Sequence, residues 1–177
     1  MKSLIVFIFS FLIFFPIANA KERIFVSFYP LEYSVKFLVG DSIDVWNPVD
    51  SDPADWAPSK AQIKKIQESK LIFINGAGFE KWPKVVALPK SKLVVTSRSF
   101  KKSWLRYKKG KAHSHGGKVH IHRGFDGHTW MSPNRFLMQN KIIYETIKRA
   151  KLVDSKLLDQ RFNELQSQFN ELEKLWL

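Results

Sequence analysis

The chemistry this 177-residue chain can do is concentrated in its histidines. All five fall within residues 113–130, HSHGGKVHIHRGFDGHTW, as His113/His115, His120/His122 and His128. Neutral imidazole suits zinc and copper, whereas manganese favours carboxylates. In an extended segment residues i and i+2 point to one side, so each His-x-His presents two rings together. A two-residue turn at Gly116-Gly117 would set His115 opposite Lys118 and His113 opposite His120. All four loop histidines would then share a face, with opposed Cβ atoms about 5 Å apart. Lys111 and Lys118 would lie on the same face and oppose an arriving cation, subject to screening by salt. The stretch thus reads as a polar loop, a weak metal-capture surface or an ordered site, and composition alone leaves all three open.

The elements around it are more definite. Lys2, the apolar run Leu4–Phe15 and small residues at Ala18 and Ala20 have the layout of a cleaved secretory signal peptide over residues 1–20. Twelve apolar residues make a helix of roughly 18 Å, too short for a hydrocarbon core of about 30 Å. The expected product is exported and periplasmic. Cysteine is absent, so neither disulfides nor a lipidated cysteine are available and the core alone must carry stability. The formal charge of +13 often accompanies nucleic-acid binding. Export argues against that partner, and an anionic envelope surface or simple solubility fits better. Much of the excess lies in Arg98–Lys111.

After residue 20 short apolar runs alternate with helical patterns. Strands are expected at Arg23–Phe28, Ile43–Trp46, Leu71–Ile74 and Lys92–Val95. Leu71–Ile74 is apolar without alternation, the pattern of a strand covered on both faces. Helices are expected from Leu31 to a Gly40 stop, and after Ser59, whose spacing to Gln62 makes a capping box. A further helical stretch is expected around Phe79–Leu88. Pro48–Pro58 is loop, and Ser97–Gly127 lacks periodicity and reads as a long loop. Ser132-Pro133 supplies N-cap and first helical residue for a helix to Ala150, and Asp154 caps a last one. The alternation predicts an α/β lobe over 21–150: about four mostly parallel strands flanked by helices, with a long helix over 151–177. On that helix Leu158, Phe162, Leu165, Phe169, Leu172 and Trp176 form an apolar stripe that continues to the end of the chain. The pattern asks for a covering partner.

Enzymatic readings find little support. There is no HExxH, the histidines sit in one loop, and NGAG (Asn75–Gly78) lacks the Lys-Ser/Thr of a phosphate-binding loop.

Four motifs in order carry a resemblance: SFYPL (Ser27–Leu31), DPADWAP (Asp52–Pro58), NGAGFEKW (Asn75–Trp82) and DGHTWMSP (Asp126–Pro133). Together they resemble the solute-binding proteins of zinc and manganese ABC transporters, over nearly all of the chain after residue 20. The resemblance implies an exported two-lobed protein with a long connecting helix, which binds a divalent metal ion, zinc above all, in its cleft. It also implies docking on an ABC permease in the inner membrane. In that scheme this chain supplies the leader, first lobe and connecting helix, and a C-terminal lobe with two further ligands is missing. The family's first histidine ligand falls at Ala54, and its second survives as His128. One inherited imidazole cannot make a tight zinc site, which takes at least three protein ligands. His113, His115, His120 and His122 correspond to the His-containing loop that is thought to gather metal in zinc members. Asp126 would orient His128 or cap its loop, Asp52 would cap the loop at Ala54, and Trp56, Trp82 and Trp130 would pack around the cleft floor and helix starts.

The sequence therefore points to a diverged or truncated zinc-uptake binding component. The alternatives are an envelope interaction module using the basic loop, and half of a split binding protein.

Overall fold

The computed structural model describes residues 21–107, 112–115, 118–121 and 124–176. The expected leader, the Gly116-Gly117 turn and His122 lie outside them. Four short strands, β1 (Arg23–Val26), β2 (Asp44–Trp46), β3 (Leu71–Ile74) and β4 (Leu93–Val95), form one sheet in the order β2-β1-β3-β4. All three pairings are parallel, with Phe25 level with Trp46 and Ile72, and Phe73 level with Val94. Parallel neighbours need a crossover between them. α1 (Tyr29–Val39) joins β1 to β2, and α2 (Lys60–Glu68) joins β2 to β3.

Side-chain alternation along the strands divides the core in two. Ile24, Val26, Leu71 and Phe73 belong to the larger layer with α1, α3 (Pro133–Arg149) and α4 (Ser155–Trp176). Phe25, Ile72 and Ile74 join Ile66 of α2, Trp56 and Trp82 in the smaller one. β3 is buried throughout, as its unbroken apolar run requires. Leu158, Phe162 and Leu165 of α4 are buried in the larger layer, so the first turns of this helix complete the lobe's core. Each such side chain contributes roughly 1.5–3 kcal/mol. Farther along, the stripe leaves the body: Leu172 is half exposed.

Local signals set the helix ends. Ser59 and Gln62 exchange both bonds of the capping box, at 3.3 and 2.8 Å. Ser132 Oγ accepts from the Arg135 N–H with Pro133 at the first position, and Asp154 accepts from the Leu157 N–H at 3.0 Å. Gly40 ends α1 at φ 58°, a conformation that disfavours side chains.

Two expectations need correction. The stretch Phe79–Leu88 holds only a 3₁₀ turn, Trp82–Lys84. Pro83 removes an amide donor and Pro89 follows closely, so a longer helix has no way to propagate. The segment Ser97–Gly127 is not one structureless loop. A 3₁₀ segment spans Thr96–Ser103, Arg106 bridges Phe125, and a hairpin pairs β5 (Ala112–His115) with β6 (Lys118–Ile121). In that hairpin His113 is level with His120 and His115 with Lys118. That is the register a two-residue connection dictates.

Candidate metal-binding site

In parallel sheets, ligands bind beyond the carboxyl ends of the strands. Here those ends are Ser27, Asn75 and Thr96-Ser97, all buried. A polar network joins them. The buried Glu80 carboxylate accepts from the Ser27 hydroxyl, and from the Asn75 and Gly76 N–H groups at 2.7 and 3.0 Å. The Asn75 amide N–H groups donate to the carbonyls of Gly127 at 2.8 Å and Gly76 at 2.9 Å. Its amide oxygen accepts from the Thr129 hydroxyl at 2.7 Å and from the Gln139 amide at 2.9 Å, and Gln139 also donates to Thr96 at 2.8 Å. Asn75 thus ties the end of β3 to both residues that flank His128. Burial pushes the Glu80 carboxyl above its ordinary value, and its three donors pull it back part of the way.

Two glycines permit close approach. A Cβ on Gly76, at φ 83°, would lie 2.2 Å from a Val95 methyl. One on Gly127 would lie 2.8–2.9 Å from Cβ and Cα of Phe79. Real Cβ atoms do not come that near, so the residue preceding His128 is held against NGAGF at a distance only glycine allows.

His128 projects from this base with its side chain about half exposed (54 %). Its ring lies edge-on to Phe79 at 5.8 Å and tilted against Trp130 at 5.3 Å. Trp130 in turn rests on Phe28 and Phe79, at 4.5 and 4.6 Å. Asp126 does both things its position permits: Oδ1 accepts the His128 backbone N–H at 2.9 Å and lies 2.8 Å from Nδ1 of the ring. A carboxylate partner at Nδ1 fixes the tautomer with the proton there, leaving the Nε2 lone pair outward as a ligand. The Tyr107 hydroxyl also donates to Asp126 at 3.2 Å.

The other sequence candidates fall elsewhere. Asp52 caps its own loop, Oδ1 accepting from the Ala54 N–H at 2.9 Å. Ala54 packs, half-buried, on the larger core layer. Trp56 is buried in the smaller layer, edge-on to Trp82 at 5.9 Å, with Trp82 against Phe25 at 5.8 Å. These two tryptophans pack on the α2 side of the sheet and not beside His128; only Trp130 borders the site. His113, His115 and His120 lie on the hairpin strands described above. Among the described residues no three His, Asp or Glu side chains come together as a metal cluster.

Sequence reading missed Thr129, Gln139 and Tyr107. Thr129 at least sits in DGHTW. Gln139, buried on α3, and Tyr107 carried no sequence signal.

A parallel α/β lobe that presents an oriented histidine on a glycine-held loop at its strand ends has the architecture of a metal solute-binding lobe. The chain matches the family model for the periplasmic zinc-uptake complex component A over residues 24–176, and it belongs to that family. A putative metal-binding protein of Chlamydia trachomatis is 26% identical over 159 residues, 88% of this chain and 53% of that one. The zinc-binding lipoprotein AdcA of Streptococcus pneumoniae is 29% identical over 125 residues, 67% of this chain and 25% of its own. The chain therefore spans about half the length of the first relative and a quarter of the second. Among solved structures, the metal-dependent lipoprotein YcdH of Bacillus subtilis superposes with TM-score 0.70 at 22% identity, covering 88% of this chain and 55% of its own. Zn(II)-bound AdcA of S. pneumoniae superposes at 0.67 and 20%, covering 89% and 32%. These two establish the likeness of fold. No helix among the described residues is long and apolar enough to cross a membrane.

Proposed function

We propose that this chain is a diverged zinc-binding component of an ABC uptake system, binding its metal through His128 and handing it to a membrane permease. The observation that carries this reading is the Asp126–His128 pair at 2.8 Å, which leaves one imidazole nitrogen free at the strand ends of a lobe of this family. Ligation through an imidazole nitrogen favours zinc over manganese. Ala54, standing where the resemblance implies a second imidazole, makes binding weaker than in members that keep both. Zinc and copper are the ions to test first, and export to the periplasm is part of the same reading.

The test is a zinc titration of the full chain against a chromophoric chelator, beside His128→Ala. The proposal expects measurable affinity in the wild type and a loss of at least roughly tenfold in the variant. Equal affinities would remove His128 from any binding role. Replacing His113, His115, His120 and His122 together separates the loop from the site. If affinity drops only there, the loop is the metal-binding element and the inherited position is vestigial.

A further inference from the structure

A second surface adjoins the site and has different chemistry. The 3₁₀ segment Thr96–Ser103 and the residues after it expose Arg98, Lys101, Lys102 and Arg106 around a shallow hollow floored by Trp104 and Phe125. Residues 96–106 contain no Asp or Glu. Among the described residues none of these four cations is paired with a carboxylate. Instead the Arg106 guanidinium lies 4.5 Å from the Phe125 ring centre and the Lys101 ammonium 6.0 Å from that of Trp104, with the two rings edge-on at 5.2 Å.

This is a shaped surface, not a tail of solvated lysines. Phe100 is buried beneath it. The Trp104 indole N–H donates to the Ser97 carbonyl at 3.0 Å, and Arg135 donates to the Ser103 carbonyl at 3.2 Å. On this pinned backbone Trp104 is half-buried and Arg106 exposed beside Phe125, while Leu105, 57% exposed, falls on the other side of the extended segment. A cluster of cations without carboxylate partners, set around an indole and a phenyl ring, suits the headgroup region of a lipid surface. There the cations meet phosphates while the indole sits at the headgroup level. A free phosphate ion would engage the cations without covering the rings between them.

We propose that the face formed by Arg98, Lys101, Lys102 and Arg106 around Trp104 docks on the surface of an anionic phospholipid bilayer. The proposal does not depend on metal binding, but it gives the site an address. The Leu105 carbonyl accepts the Asp126 N–H at 2.7 Å, so the docking face and the His128 loop share a backbone rung. A lobe held this way presents its His128 rim close to the membrane.

Sedimentation with vesicles tests it, using full-length wild type and variants side by side so that Leu4–Phe15 contributes equally to each. Vesicles of phosphatidylglycerol with phosphatidylethanolamine are expected to bind the chain, more weakly as salt rises, and phosphatidylcholine vesicles to bind it far less. Neutralising the four cations to Gln should weaken binding by about five-fold per charge. Leu105→Ser, on the other side of the segment, should leave binding unchanged, and circular dichroism should show both variants folded. Equal binding to both vesicle types, or undiminished binding by the four-fold variant, overturns the proposal. So does complete displacement by inorganic phosphate at constant ionic strength, which would make a free anion the occupant.

Discussion

Three donors converge on the Asp126 carboxylate: the His128 backbone, the His128 ring and the Tyr107 hydroxyl. Partial burial pushes its carboxyl upward, but the donors outweigh burial and hold it below the ordinary 3.8. Asp126 therefore stays anionic at neutral pH and keeps the His128 ring oriented. Replacing it with Asn keeps the loop bond and removes the charge. Asp126→Asn should lower zinc affinity by roughly ten- to a hundred-fold, the range for partners that orient a ligand. Chelator competition measures it, and unchanged affinity would reduce Asp126 to a loop cap. Ala54 argues at the same scale. If its position is that of a lost imidazole, Ala54→His should raise zinc affinity roughly tenfold or more by adding a ligand to an under-coordinated site. The double variant Ala54→His/His128→Ala should lose that gain. A gain that survives there would mean the new histidine binds alone.

At the scale of elements, the site is held by contacts between residues far apart in sequence. Asn75 reaches Gly127, Thr129 and Gln139 from the end of β3. Asn75→Ala leaves several buried groups without partners at once, and each such group costs about 1–3 kcal/mol. A loss of roughly 2–4 kcal/mol in urea unfolding is expected, with the midpoint moving and the slope constant. A change within half a kcal/mol of zero would show that water replaces the amide. What could be read from sequence follows the same division between local and distant. The Ser59–Gln62 box, the Ser132-Pro133 start, the Gly40 stop and the four strands were legible, because each depends on neighbours along the chain. The Gly116-Gly117 spacing foretold the pairing of His113 with His120 for the same reason. NGAGFEKW was recognisable only as a motif. That its Asn grips the loop of DGHTW depends on a contact 52 residues away, which no periodicity encodes. The stretch 79–88 misled because its apolar residues imitate a helical period that Pro83 forbids.

For the molecule as a whole, Glu80 makes stability depend on pH. Its carboxyl is raised above 4.5 in the folded state, chiefly by burial. The stability its protonation confers is therefore fully present below the unfolded value and is lost as pH rises through the folded one. The stability of wild type relative to Glu80→Gln should grow on acidification from neutral pH, measured by urea unfolding at a series of pH values. A difference that stays flat with pH would take Glu80 out of the titration. The aromatic neighbours of His128 have a use that the binding chemistry does not exhaust. Circulating π-electrons in Phe79 and Trp130, whose ring centres lie 5.8 and 5.3 Å from that of the imidazole, act on its ring protons and move their magnetic resonances away from those of an imidazole surrounded by water. The protein thus carries its own reporter, and a one-dimensional proton spectrum recorded during a zinc titration can tell occupancy of this histidine from occupancy of the other four.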